Sequence, residues 1–106
     1  MADWSGTLSF DDSKLVELET YIHEPYSRSG DIFDQGTLNT GKGPQLDWVI
    51  KHDLFQGVIL HLNLMTEDNS AFLAGQEEQL SKARDLLNTY TLKHDGRTYQ
   101  ITIKAG

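Results

Sequence analysis

The sequence predicts an α+β domain. Its expected architecture is a small antiparallel sheet of about six strands packed by one main α-helix, with a long loop at residues 25–45. Three observations lead there. Apolar and polar residues alternate in several short runs, which is strand periodicity. One stretch, residues 66–90, carries its apolar residues at helical spacing instead. Four of the nine glycines and both prolines fall within residues 25–45, a concentration typical of a loop. At 106 residues the chain reads as a single domain spanning 1–106, long enough to bury one modest core.

In order along the chain, "WSGTLSF" sets Trp4, Leu8 and Phe10 among small polar residues and reads as a short strand. Asp11, Asp12 and Ser13 follow as a turn or a helix cap. In "KLVELETYIHE", Val16, Leu18, Thr20 and Ile22 alternate with Glu17, Glu19, Tyr21 and His23. Leu15, Leu18 and Ile22 also fit a helix that Ser13 could cap. The alternation is unbroken and includes β-branched positions, so a strand is preferred. It would form a hairpin with residues 6–10 and end at Pro25.

After the 25–45 loop, "LDWVIKHDLF" is apolar enough for a strand, and "GVILHLNLM" is the clearest strand in the chain. Val58, Leu60, Leu62 and Leu64 share one face of it, and Ile59, His61, Asn63 and Met65 the other. "TEDNS" then offers helix caps. Phe72, Leu73, Leu80, Ala83, Leu87 and Tyr90 recur at helical spacing, with Glu78 and Lys82 as an i,i+4 pair on the outer face. Gly75 weakens the first turn. The chain closes on "YTLKHDGRTYQITIKAG". Asp95-Gly96 between two alternating runs is a strong hairpin signal, pairing His94 with Arg97, Lys93 with Thr98 and Leu92 with Tyr99. Leu92, Tyr99, Ile101 and Ile103 then share the buried face.

Composition narrows the function. There is no cysteine, so disulfides and thiolate metal sites are excluded, which fits a reducing compartment. "MADWSGTLSF" shows neither the basic nor the apolar segment of a secretory leader, and "GVILHLNLM" is far below the roughly 20 residues of a membrane helix. The expected location is cytoplasmic or within a virion-like particle. The net charge of −7 sits mostly in residues 1–53, where ten acids face four bases. This field disfavours nucleic acid and anionic membrane and favours a basic partner surface, although its plainest role is solubility.

"GTLNTGKG" at 36–43 has the skeleton of a phosphate-binding loop. The residue after Lys42 is Gly43, so the magnesium-binding hydroxyl is missing, and no α/β alternation surrounds the loop. It reads as a flexible glycine loop in which Lys42 and Arg28 could make a weaker anion contact. His23, His52, His61 and His94 show no short metal-ligand spacing. No Gly-x-Ser-x-Gly motif occurs. Asp11-Asp12, Glu17/Glu19 and Glu77-Glu78 are explained as turn or solvent-face residues. No cofactor or metal is expected, and an enzyme or histidine-based metal protein is the minority reading.

The leading expectation is a non-enzymatic protein–protein interaction module. It would be a structural subunit of a larger assembly, such as a phage tail or tail-like particle. The alternative is a small acidic inhibitor or immunity protein that covers a basic site. The interaction element is expected at residues 26–43 of the 25–45 loop, mobile until covered. Its contact residues would be Tyr26, Arg28, Ile32, Phe33, Leu38 and Lys42, because aromatic and apolar residues on loops anchor interfaces.

Overall fold

The computed structural model describes residues 4–11, 13–22, 28, 30–39, 44–65, 71–80, 87–94 and 96–106. Eight strands run through them: β1 Trp4–Phe10, β2 Val16–Thr20, β3 Ile32–Asn39, β4 Gln45–Asp53, β5 Gly57–Met65, β6 Ala71–Gln79, β7 Leu87–His94 and β8 Arg97–Ala105. They form two four-stranded antiparallel sheets. The central sheet is the meander β3-β4-β5-β6. The terminal sheet, in the order β2-β1-β8-β7, joins one hairpin from each end of the sequence through β1 and β8. The inward rows of both sheets meet in one core. Leu8, Phe10, Leu18, Tyr99, Ile101 and Ile103 come from the terminal sheet, and Leu46, Trp48, Ile50, Leu60, Leu62 and Leu64 from the central sheet. Two sheets sharing an apolar interior make a β-sandwich.

This overturns the α+β expectation. The described residues hold no α-helix, and the stretch read as the main helix holds β6 and β7 instead. The reason lies in β5. Val58, Ile59, Leu60, Leu62 and Leu64 are all buried, so both backbone edges of this strand lie in the interior and need partners. β4 supplies one partner. Residues 71–79 supply the other, pairing Leu64 with Leu73, Leu62 with Gln76 and Leu60 with Glu78. Helix propensity differs by only a few tenths of a kcal/mol per residue, less than the cost of an unpaired buried strand edge. The helical spacing is thus divided: Phe72 and Leu73 lie in β6, Leu80 just past its end, and Leu87 and Tyr90 in β7 of the other sheet, while Ala83 and Lys82 lie outside the described residues. Glu78 does not sit on an outer helical face. It reaches across to the terminal sheet, accepting hydrogen bonds from Asn88 Nδ2 at 2.7 Å and from the Tyr90 hydroxyl.

The long loop is also corrected. Its middle is β3, paired with β4 from Ile32↔Lys51 to Asn39↔Gln45 with an irregularity between Ile32 and Asp34. The half of "GTLNTGKG" that is described, Gly36–Asn39, lies in this strand, and Gly41, Lys42 and Gly43 lie outside the described residues. β3 is an edge strand with few apolar residues, so its alternation is weak in the sequence. Its register is held by Gly36, which stands opposite Trp48. A Cβ at Gly36 would come within 2.7 Å of the Trp48 ring, so the indole occupies the space that a side chain would take.

Both expected hairpins are present, the first with residues 4–8 in place of 6–10 and with β2 ending at Thr20 rather than at Pro25. β1 and β2 pair from Trp4↔Thr20 to Leu8↔Val16. β7 and β8 pair in the register that the Asp-Gly turn requires, His94↔Arg97, Lys93↔Thr98 and Leu92↔Tyr99, and Gly96 has φ 77°. The buried face of this hairpin packs on the central sheet rather than on a helix.

Candidate functional site

Strand order brings several segments to one end of the sandwich. There β2 hands over to β3, β6 hands over to β7, and the β4–β5 turn closes over residues 54–56. This crossover end holds five of the six large apolar side chains that are exposed among the described residues: Tyr21, Ile32, Leu54, Phe55 and Leu87. The sixth, Leu15, lies at the opposite end, beside the β1–β2 turn. Phe55 is the extreme case at 91% exposed, with Leu54 at 67% beside it.

The turn that carries Leu54 and Phe55 is tied down. The Asp53 carboxylate accepts hydrogen bonds from the backbone N–H groups of Phe55 (3.0 Å) and Gln56 (2.9 Å). This is the side-chain turn mimic that short acidic residues favour. The Gln56 amide then folds back over the central sheet. It donates to Glu77 Oε1 at 3.1 Å and accepts from Gln79 Nε2 at 3.2 Å. Two apolar side chains are therefore held outward on a turn anchored at both flanks.

Arg28 lies near the same end. Its backbone N–H donates to Asp31 Oδ2 at 2.7 Å, and Gly30 and Asp31 exchange backbone hydrogen bonds with His52 at 2.8 Å each. The six expected contact residues are thus dispersed. Arg28 and Ile32 are exposed at the crossover end, Phe33 is half-buried against the core, and Leu38 is a core residue at 7% exposed. Tyr26 and Lys42 lie outside the described residues. Leu54, Phe55, Tyr21 and Leu87 were missed. For the first two a signal was present, since "DLFQG" places two large apolar residues between two strands where turn residues are usually polar.

The outer face of the central sheet forms a second, polar surface. A shallow depression of about 380 Å³ is lined by Gln35, Thr37, Asp47, Val49, His61 and Asn63 together with the Gly36–Trp48 pair. Cross-strand register explains it: Gln35, Val49, His61 and Glu77 form one row, and Thr37, Asp47 and Asn63 the next. His61 Nδ1 lies 3.2 Å from Glu77 Oε2. The hydrogen bond from Gln56, then that from His61, holds the Glu77 carboxyl below its ordinary range. Asp47 Oδ1 accepts from Thr37 Oγ1 at 3.2 Å and from Gln45 Nε2 at 2.8 Å.

The chain matches no protein-family model, no curated protein and no solved structure. Its chemistry must be read from the residues themselves. In the polar face, Asp47 and Glu77 are engaged by neighbouring strands or the adjacent turn, the usual way in which a solvent-facing sheet stabilises itself. Among the described residues no group of three or more histidine, aspartate or glutamate side chains is arranged to hold a metal ion. The arrangement offers hydrogen-bonding groups and an apolar tip.

Proposed function

We propose that the protein is a non-enzymatic protein–protein interaction module and a structural subunit of a larger assembly, with the crossover end as its contact surface. The observation that carries this reading is the outward-held Leu54–Phe55 pair with Tyr21, Ile32 and Leu87 at the same end. A large apolar side chain gains roughly 1.5–3 kcal/mol on full burial. Association costs several kcal/mol in lost freedom, so one exposed residue is of little use and a cluster is of much more. The hydrogen-bonded turn lowers the ordering cost further, because Leu54 and Phe55 are already presented. Arg28, Asp31 and Asp53 give the surroundings the polar rim that interfaces share.

The test is an affinity comparison in extract of the native source, after cross-linking, between the wild-type chain and Leu54→Ser/Phe55→Ser. Both residues are exposed, so the double variant should keep its thermal stability. Partners enriched on the wild type and lost on the variant are the expected result. Identical partner sets on both chains would remove the tip from any interface.

A further inference from the structure

The sandwich has four edge strands, and they are not equally protected. β2 is only five residues long and exposes Glu17 and Glu19. β3 has an irregularity between Ile32 and Asp34, and the Asp34 carboxylate takes the Gln35 N–H at 2.9 Å. β6 shifts register twice along β5. Shortness, charge and bulges are the devices by which proteins keep edges from pairing with other chains. β7 has neither shortness nor a bulge, and its one formally charged residue is Lys93. It pairs with β8 over eight residues without a shift, and "LNTYTLKH" contains no acid and no proline.

Which backbone groups of β7 face outward follows from the turn. A two-residue hairpin closes on a hydrogen-bonded pair, here His94 and Arg97, and such pairs recur at every second residue. Asn88, Tyr90, Leu92 and His94 therefore direct their backbone groups to β8. Leu87, Thr89, Thr91 and Lys93 direct theirs away from it, to the open edge. Among the described residues, no backbone hydrogen bond outside the β7–β8 ladder involves these four.

We infer that β7 pairs antiparallel with β7 of a second copy, about a two-fold axis through Tyr90, to form a symmetric dimer with a continuous eight-stranded sheet. This register uses all four outward residues of each copy. Leu87 stands opposite Lys93 and Thr89 opposite Thr91, each pair occurring twice, for about eight new ladder bonds. The other registers that keep side chains on matching faces leave one or more of the four unpaired. No like charges are brought opposite one another. Leu87, 68% exposed in the single chain, gains the aliphatic stem of Lys93 as a neighbour. Each copy carries −7, so two copies repel at long range, and β7 and β8 add Lys93, Arg97 and Lys104 but no acid to the contact. An isologous contact of this kind closes on itself and stops at two copies. It supports the assembly reading but rests on different residues from the Leu54–Phe55 tip.

Sedimentation velocity over the micromolar to millimolar range tests it, with circular dichroism to confirm folding. The wild type should show a monomer–dimer equilibrium, and added salt should strengthen it by screening the net repulsion. Thr91→Pro removes an outward N–H at a position where an edge strand tolerates proline, and it should weaken dimerisation at least about tenfold. Thr89→Lys/Thr91→Lys puts like charges opposite and should do the same. Thr89→Lys/Thr91→Glu puts opposite charges there and should retain the dimer. Leu54→Ser/Phe55→Ser should leave dimerisation unchanged, whether or not it loses other partners. A wild type that stays monomeric throughout, masses that grow without limit, or Lys/Lys and Lys/Glu variants that behave alike would each overturn the proposal.

Discussion

Each sheet buries a tryptophan against a glycine, and the two contacts are built differently. In the terminal sheet Trp4 folds over Gly6 two residues along its own strand, while the backbone carbonyl of Lys104 approaches from the neighbouring strand. A Cβ on Gly6 would lie 2.7 Å from the Trp4 ring and 2.6 Å from Lys104 O. In the central sheet Trp48 crosses to the glycine of the adjacent edge strand, and the three atoms nearest a Cβ on Gly36 would all be indole atoms, at 2.7–2.8 Å. The first contact involves backbone on one side, in the two strands that join the ends of the sequence. In the second the nearest atoms are all side chain, at an edge. An aromatic ring over a glycine is a known way to pin strand register. The same pairing of residue types therefore locks the middle of one sheet and the margin of the other.

The sharpest test is to fill both spaces. Gly6→Ala should be the most damaging, costing about 3 kcal/mol, because the fixed β8 backbone must move as well as the ring. Gly36→Ala should cost less, about 2 kcal/mol, because the indole can tilt and β3 has a free side. Chemical denaturation of the two variants measures the order directly. Equal losses would mean that the edge strand is held as firmly as the centre of the sheet.

Gly96 gives a contrast in which space plays no part. A Cβ there meets nothing within 4 Å, but φ is 77°, so Gly96→Ala should lose about 1 kcal/mol through backbone strain alone. A thermal melt unchanged by this substitution would show that the turn is not the two-residue type on which the β7 edge assignment depends.

The smallest effect belongs to the polar face. Glu77 is partly exposed, at 29%, and its pair with His61 should contribute less than about 1 kcal/mol at neutral pH. Its folded-state pKa is lowered, so its stabilisation is present above the ordinary carboxylate value and is lost as pH falls through the lowered one. Glu77→Gln should accordingly narrow the stability gap to wild type as the solution is acidified from neutrality. A gap that widens on acidification would mean that the Gln56 and His61 contacts do not favour the charged form.

Much of the fold was legible where local chemistry and tertiary need agree. The β1–β2 alternation, the Val58–Leu64 row and the Asp95-Gly96 turn each specify a strand or a register from residues close in sequence, and the structure keeps all three. The candidate site was partly legible. Of the expected contact residues, Arg28 and Ile32 are exposed, while Leu38 lies in the core and Phe33 packs against it. Leu54 and Phe55 were passed over because the run containing them was read as a continuous strand.

What the sequence by itself determined is the absence of thiol chemistry, the acidic balance, and those strands whose pattern is carried by their own side chains. What only the tertiary structure decided is the state of residues 32–39 and 71–79, and with it the fold class. β3 has too few apolar residues to announce itself and is a strand because Trp48 fills the notch above Gly36. β6 has a pattern that fits a helix and is a strand because β5, whose inward row Val58, Leu60, Leu62 and Leu64 is buried, has a second edge to satisfy. In both, the deciding contact lies on a neighbouring strand, beyond the reach of any local period.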